Sequence, residues 1–312
     1  MIHIFSRLGA IAVLSLSCIS FTAGAFPLPS PQTVPLKLPM HFSTDFDFEG
    51  IISLSNCSGS LIQLESGRDS DPALVLTNGH CIGSFPEPGE YFYRESSSRT
   101  MVVLDSAGDR AGRLNATELI YATMTGTDMA LYRMRETYAE IKARFGVRPF
   151  VLASREPEIN QPIEVVSGYW RRGYRCSVEA VVYKLREGGY EMDGSLRYTR
   201  PGCEVIGGTS GSPVIAQGTR TVIAVNNTGN ESGGRCHMNN PCEVDRDGNV
   251  KYEQGLSYAQ QTYRVYSCLN RDNELDLSAP GCLLFSGVRQ YIPKAFQHAK
   301  DIRLSLYDKL GL

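Results

Sequence analysis

Gly-Gly-Thr-Ser-Gly-Ser-Pro-Val, residues 207–214, places a serine within a run of glycines just before an apolar segment. Because glycine has no Cβ, such a backbone can adopt positive φ angles and approach another molecule closely. One interpretation is a nucleophilic serine, Ser210, on a tight turn whose N–H groups can bind a developing oxyanion. The alternative is an ordinary glycine- and serine-rich loop between two strands, which is what most such stretches are. The rest of the chain has to distinguish between the two.

The composition of the 312 residues limits the class of protein. The 31 basic and 33 acidic residues nearly balance, so no nucleic acid or anionic membrane is indicated as a partner. Short apolar runs are separated by Gly, Asn, Asp and Pro, and there are 30 glycines but a single tryptophan. This pattern predicts an all-β protein, and the length allows one large domain or two smaller ones.

The first 25 residues have the features of a secretory signal peptide. Arg7 supplies a positive charge, residues 8–19 are apolar, and residues 23–25 are small. The apolar run is short for a membrane-spanning helix, and a lipoprotein site at Cys18 is disfavoured because Ser15 stands where leucine is expected. We expect cleavage after residue 25 and a secreted or periplasmic protein without membrane attachment.

Three segments are expected after the signal peptide. Residues 26–47 are rich in proline and are interpreted as a leader or propeptide outside the core. Residues 48–235 carry the main strand pattern, and residues 236–312 form a cysteine-containing extension packed on it. Residues 245–249 faintly resemble a calcium loop, but the distant acidic ligand is missing and a hairpin turn is favoured.

The strand pattern falls into two halves. We expect strands over about 48–134 and again over about 148–235, joined by a helix over 136–145. Another strand is expected near 257–266. Pro293 is expected to begin a C-terminal helix with one apolar stripe that docks on the β body.

Eight cysteines remain once the signal peptide is removed. They are Cys57, Cys81, Cys176, Cys203, Cys236, Cys242, Cys268 and Cys282. An even number in an exported chain predicts disulfides, because thiols oxidise outside the cytosol. Zinc would require paired ligand spacings, and only the 236–242 segment comes near one. We therefore predict no metal site and no cofactor.

One histidine and one aspartate stand out when they are considered together with Ser210. His80 ends a buried apolar strand, and Asp128 begins another. Alone, each would be interpreted as structural, His80 as a buried histidine and Asp128 as a turn or cap residue. Together they supply a nucleophile, a base and a carboxylate that orients the base. Their order, with Ser212 where the nucleophile elbow has glycine, excludes the α/β-hydrolase scheme.

Four short motifs together resemble a known family. They are Cys-Ser-Gly-Ser-Leu-Ile at 57–62, Leu-Thr-Asn-Gly-His-Cys at 76–81, Asp-Met-Ala-Leu at 128–131 and Gly-Thr-Ser-Gly-Ser-Pro at 208–213. In this order they resemble trypsin-like serine proteases of the chymotrypsin fold. The resemblance implies two six-stranded antiparallel β-barrels with the active site between them. It also implies an endopeptidase, expected to be a monomer, whose partner is a protein or peptide substrate.

The resemblance assigns a role to each site residue. It implies that Ser210 attacks the scissile carbonyl, that His80 transfers the proton and that Asp128 orients His80. The backbone N–H groups of Gly208 and Ser210 would form the oxyanion hole.

The resemblance also implies a disulfide between Cys57 and Cys81 that fixes the histidine loop. For the other six cysteines the sequence does not determine the connectivity. Proximity suggests the pairs 176–203, 236–242 and 268–282.

Two positions depart from the animal digestive enzymes of this family. Thr209 stands where those enzymes carry the aspartate that pairs with a newly cut N-terminus, so activation by that salt bridge is not expected. Removal of residues 26–47 would then act by another route, such as relieving occlusion of the cleft. Ser212 brings the motif closer to the bacterial glutamyl-endopeptidase-like branch.

Substrate preference is left open by the sequence. Glu204 lies six residues before Ser210, where a carboxylate at the base of the pocket would favour Arg or Lys. Glu204 can equally be an exposed residue beside a disulfide. Residues 226–228 are expected to form the pocket wall. Two other functions also remain open, a binding protein on this fold that has lost its activity and an esterase that uses the same triad.

Overall fold

The computed structural model describes residues 45–287. The predicted signal peptide, residues 26–44 of the predicted leader and the helix predicted from Pro293 lie outside this range. Within it, no helix is long and apolar enough to cross a membrane.

Strands dominate the described residues, which hold 16 of them. In chain order they are β1 Ile51–Ser53, β2 Ser58–Gln63, β3 Pro72–Thr77, β4 Tyr91–Ser96, β5 Thr100–Leu104, β6 Arg110–Thr123, β7 Met129–Thr137, β8 Phe150–Leu152, β9 Pro162–Ser167, β10 Arg172–Glu187, β11 Tyr190–Tyr198, β12 Pro213–Ala216, β13 Thr221–Gly229, β14 Cys242–Val244, β15 Val250–Lys251 and β16 Ser257–Gln261. One α-helix, α1 Tyr138–Phe145, and 3₁₀ turns at Gly79–Cys81 and Tyr263–Cys268 complete this part of the chain.

The first barrel closes through six strands in the order β1, β5, β6, β7, β3 and β2. Every pairing in this ring is antiparallel, and β1 closes it because it pairs with β2 on one side and β5 on the other. The interior is apolar and includes Leu61, Val75, Val103 and Leu114. Burial alternates over residues 72–75 of β3, as the two-residue period of a strand predicts, and residues 75–77 are all buried.

The second barrel closes in the same way through β13, β12, β9, β10, β11 and β16. Its interior packs Ile163, Val165, Leu196 and Val214. Strand β8 runs parallel to both β2 and β13 and so joins the two rings. The prediction of an all-β protein with two six-stranded antiparallel barrels is confirmed.

The helix predicted over 136–145 is present between the two barrels. It begins at Tyr138 with a capping box, in which Thr137 Oγ1 accepts from Glu140 N and Glu140 accepts from Thr137 N. It ends at Gly146, which has a φ of 67° and caps the helix in the left-handed region.

Four disulfides and one tight turn match the expectations for the loops. The bridges are Cys57–Cys81, Cys176–Cys203, Cys236–Cys242 and Cys268–Cys282. The first ties the start of β2 to the 3₁₀ turn that follows β3. Residues 245–249 form the hairpin turn between β14 and β15, with the Asp245 carboxylate accepting from Asp247 N and Asn249 N.

A buried carboxylate connects the start of the first barrel with the second. Glu49 is 8% exposed, and it accepts hydrogen bonds from the backbone and the guanidinium of Arg148. Arg220, in the β12–β13 hairpin, lies 3.3 Å from the same carboxylate and donates to the Glu49 carbonyl. The hydrogen bond from Arg148 outweighs the effect of burial and lowers the pKa of Glu49.

Replacing Glu49 with Gln is expected to destabilise the fold by about 2 kcal/mol at neutral pH, because charge-assisted hydrogen bonds are lost. A lowered pKa means that this stabilisation is present above the ordinary pKa of the group and disappears as acid protonates the folded state. The difference between Glu49→Gln and wild type in urea unfolding should therefore shrink toward about pH 3. A difference that does not change with pH would contradict this role.

Candidate active site

His80 and Asp128 meet because their strands are neighbours. β3 and β7 pair antiparallel, with Thr77 opposite Ala130. The end of β3 and the start of β7 therefore lie at the same edge of the first barrel. His80 sits in the 3₁₀ turn just after β3, and Asp128 immediately precedes β7.

The imidazole and the carboxylate are in direct contact. The distance from His80 Nδ1 to Asp128 Oδ2 is 2.6 Å, and His80 N donates to Asp128 Oδ1 at 3.1 Å. Asn78 Nδ2 donates to the Asp128 carbonyl, and Asp128 itself is 1% exposed. These bonds fix the orientation of the ring, and the contact leaves Nε2 of His80 as the ring nitrogen free to exchange a proton.

Two opposing effects act on the pKa of His80. Burial alone would lower it, but the negative charge of Asp128 and the hydrogen bond to it raise the pKa above the ordinary value. Glu187 adds to this rise. The imidazolium form is therefore stabilised where a general base needs it.

Ser210 lies on the turn before β12 and faces the same cavity as His80. Its Oγ donates to the carbonyl of Asn227 at 3.2 Å, and within residues 45–287 it makes no hydrogen bond to His80. The turn requires glycine at 211, where φ is +79° and a Cβ would overlap the carbonyl of Ser58.

The backbone around Ser210 leaves two donors free. Gly208 has a φ of +88°, and a Cβ there would press on the rings of Tyr169 and Trp170. In the described part of the chain, no hydrogen bond is made by the N–H groups of Gly208 or Ser210. Both groups are available to an incoming oxygen.

A cavity of about 540 Å³ adjoins these residues. Besides Asp128, three carboxylate side chains line it, those of Glu187, Glu204 and Glu231. No lysine or arginine is among the lining residues of the described chain. The cleft is therefore acidic.

Glu187 is a site residue that the sequence did not indicate. It is 6% exposed, and its Oε1 accepts from Thr228 Oγ1 at 2.9 Å and from Asn239 N at 2.7 Å. Burial raises the pKa of Glu187 to about 7. In the sequence it precedes Gly188-Gly189, a pattern typical of an exposed hairpin turn. Only the packing of the β10–β11 hairpin against residues 228–239 reveals its burial.

Glu204 and Thr209, the two positions that the sequence analysis singled out near Ser210, differ in their exposure. The Glu204 side chain is exposed and accepts from Gly202 N at 3.0 and 3.1 Å, yet it lines the cavity. Thr209 is buried, and its hydroxyl donates to the carbonyl of Ile206 at 2.6 Å. This hydrogen bond lies within the turn and joins two uncharged groups.

The sequence matches the trypsin-like peptidase domain over residues 57–225, more than half of the chain. The chain belongs to this family. Among curated protein sequences, none matches it.

Several solved structures of proteases are similar to this chain. The MamO protease domain from Magnetospirillum magneticum is 14% identical with a TM-score of 0.45, and the match covers 72% of this chain and 98% of that one. Nocardiopsis protease is 15% identical with a TM-score of 0.38, covering 69% and 92%. A glutamic-acid-specific serine protease is 17% identical with a TM-score of 0.38, covering 68% and 91%. Identities this low do not assign a branch, so the glutamyl-endopeptidase-like branch stays a prediction.

Replacing Glu187 with Gln should stabilise the protein at about pH 8 by up to roughly 3 kcal/mol, and much less at about pH 5. The folded pKa of Glu187, about 7, lies above its ordinary value of 4.5, so the unfolded chain loses this proton first as pH rises. The stability of the wild type therefore decreases as the pH rises from about 4.5 to about 7. Gln at this position stays neutral and still offers an acceptor to Thr228 and Asn239.

Urea unfolding at both pH values, with the disulfides intact, measures this difference. The exposed Glu204→Gln variant serves as the control and should show little change with pH. Equal effects of Glu187→Gln at the two pH values would show that burial does not hold a proton on this carboxylate.

Proposed function

We propose that this protein is an exported serine endopeptidase in which Ser210, His80 and Asp128 form the catalytic triad. The observation that carries the proposal is the 2.6 Å contact between His80 Nδ1 and Asp128 Oδ2 beside the cavity that Ser210 lines. Membership of the trypsin-like peptidase family supports the reaction class. The four disulfides support a secreted or periplasmic location.

The mechanism follows from the positions of these groups. Ser210 Oγ leaves the Asn227 carbonyl, transfers its proton to Nε2 of His80 and attacks the scissile carbonyl carbon. The oxyanion accepts hydrogen bonds from the N–H groups of Gly208 and Ser210. His80 then protonates the leaving amine, and the acyl-enzyme on Ser210 is hydrolysed by a water molecule that His80 deprotonates.

The acidic cleft supports a preference for basic substrates. A site lined by carboxylates and lacking lysine and arginine attracts cationic side chains and repels acidic ones. Arg or Lys near the scissile bond therefore suits this cleft better than Glu. Glu204, exposed beside Cys203, is the carboxylate that the sequence offers for this contact.

Replacing Ser210 with Ala should leave the fold intact and lower kcat by on the order of 10⁵-fold, because the nucleophile is lost. Digestion of casein and labelling by a fluorophosphonate probe measure the effect. Ser66→Ala, at an exposed serine, is the matched control and should behave as wild type.

The same assays separate the alternatives. Labelling of Ser210 together with hydrolysis of esters but not of casein would favour an esterase. A wild-type protein that is neither labelled nor active would be the inactive binding protein, and the proposed function would be wrong.

Replacing Glu204 with Gln should reduce cleavage after Arg and Lys by about ten-fold relative to cleavage after neutral residues, since one charge contact is worth about that much. Digestion of a peptide library by wild type and variant reports this preference. Glu158→Gln, at an exposed glutamate outside the cavity, is the control. An unchanged preference at the cleaved residue would remove Glu204 from the pocket.

A further inference from the structure

The two free N–H groups of the Ser210 turn are those of Gly208 and Ser210. Each belongs to a peptide unit whose carbonyl oxygen accepts a hydrogen bond from another part of the protein. A trans peptide is planar, so its N–H and C=O point in opposite directions. The N–H of Gly208 is therefore aimed by the carbonyl of Gly207, and that of Ser210 by the carbonyl of Thr209. Whatever binds these carbonyls determines where the donors point.

The Thr209 carbonyl is fixed by the protein core. It accepts from Nδ2 of Asn226 and from the N–H of Ser212, both at 3.1 Å. Asn226 is 1% exposed, and its own Oδ1 accepts from the buried Tyr198 hydroxyl at 3.0 Å. The direction of the Ser210 N–H is thus fixed by groups that cannot move without disturbing the second barrel.

The Gly207 carbonyl is held in a different way. Within the described residues it accepts one hydrogen bond, at 2.8 Å, from the indole Nε1 of Trp170. Trp170 follows β9, and its backbone N–H donates to Ser167 Oγ at 3.2 Å. The indole also packs edge to face against Tyr169, with the ring centroids 4.9 Å apart.

A peptide between two glycines needs such a partner. Gly207 and Gly208 both lack a Cβ, so rotation of the peptide that joins them meets little steric resistance. A rotated peptide would present its carbonyl oxygen, and not its N–H, to the reacting group. The same Cβ-free surface at Gly208 is what lets the indole lie against the loop, because a Cβ there would come within 2.9 Å of Trp170 Nε1.

We propose that Trp170 is a positioning residue for catalysis, whose indole N–H holds the Gly207–Gly208 peptide with the Gly208 N–H facing the oxyanion. The inference rests on the proposed endopeptidase function. Trp170 acts on the transition state through Gly208 and does not touch the substrate's reacting atoms. Its loss should therefore lower kcat while KM changes little.

Two replacements of Trp170 test the hydrogen bond. Phe removes the N–H and part of the ring, and β-(3-benzothienyl)alanine keeps the shape of indole but has sulfur in place of N–H. Both should lower kcat at least about ten-fold, less than the loss of a whole oxyanion donor. The affinity for a peptide boronic acid, which forms a tetrahedral adduct with the serine, should fall by a similar factor.

Several properties of the chain make the test sharp. Trp170 is 48% exposed, so its replacement should leave the melting temperature close to that of wild type. It is the only tryptophan, so the single indole N–H resonance reports its hydrogen bond directly. Tyr169→Phe, which keeps the neighbouring ring and removes only a hydroxyl, is the control and should retain full kcat.

The outcomes distinguish the two proposals. An active wild-type enzyme whose Trp170 variants keep kcat and boronic acid affinity would overturn the positioning role alone. The same holds if only KM rises, because Trp170 would then bind substrate directly. A wild type that is inactive and unlabelled at Ser210 would remove the proposed function and this inference together.

Discussion

One backbone hydrogen bond joins the two barrels at the site, from the N–H of Ser58 in β2 to the carbonyl of Ser210, at 2.7 Å. The carbonyl of Ser58 accepts a hydrogen bond from Thr77 Oγ1, and the hydroxyl of Ser58 lies 3.0 Å from Ser167 Oγ. Ser58 therefore contacts the strand that leads to the histidine, the nucleophile turn and the strand before Trp170. His80 and Ser210, the proposed base and nucleophile, come from different barrels, and the contacts of Ser58 connect the two.

Glu49 and Glu187 are both buried, but their surroundings shift their pKa values in opposite directions. Glu49 lies against Arg148 and Arg220, and its pKa is lowered. Burial raises the pKa of Glu187 to about 7, and the negative charge of Asp128 adds to this rise against the hydrogen bonds from Asn239 and Thr228. The charged Glu49 carboxylate joins the segment before β1 to Arg148 and Arg220. The Glu187 carboxyl lines the same cavity as His80, and its negative charge raises the pKa of that imidazole.

Much of the fold and part of the site could be predicted because they depend on local patterns. His80 after an apolar strand and Asp128 before another each require only a few neighbouring residues, whereas the cysteine pairs other than Cys57–Cys81 are suggested only by proximity along the chain. Glu187 and Trp170 could not be recognised in this way, since their partners lie far along the chain, at 228–239 and at 207. The side-chain orientation of Ser210 toward Asn227 is likewise a product of tertiary packing, which no motif encodes.

The closure of both rings has a consequence for self-digestion. Under the proposed function the substrate is a protein or peptide, and an open sheet edge would offer extended backbone to another copy of the chain. Here β1 closes the first ring on β2, and β13 closes the second on β16. Among the described strands outside the rings, β14 and β15 have only three and two residues and adjoin the Cys236–Cys242 bridge, whereas β4 has six residues and pairs with β6 alone. Closure thus gives every ring strand two neighbours, whereas β4 and β15 each have one and keep an open edge among the described strands.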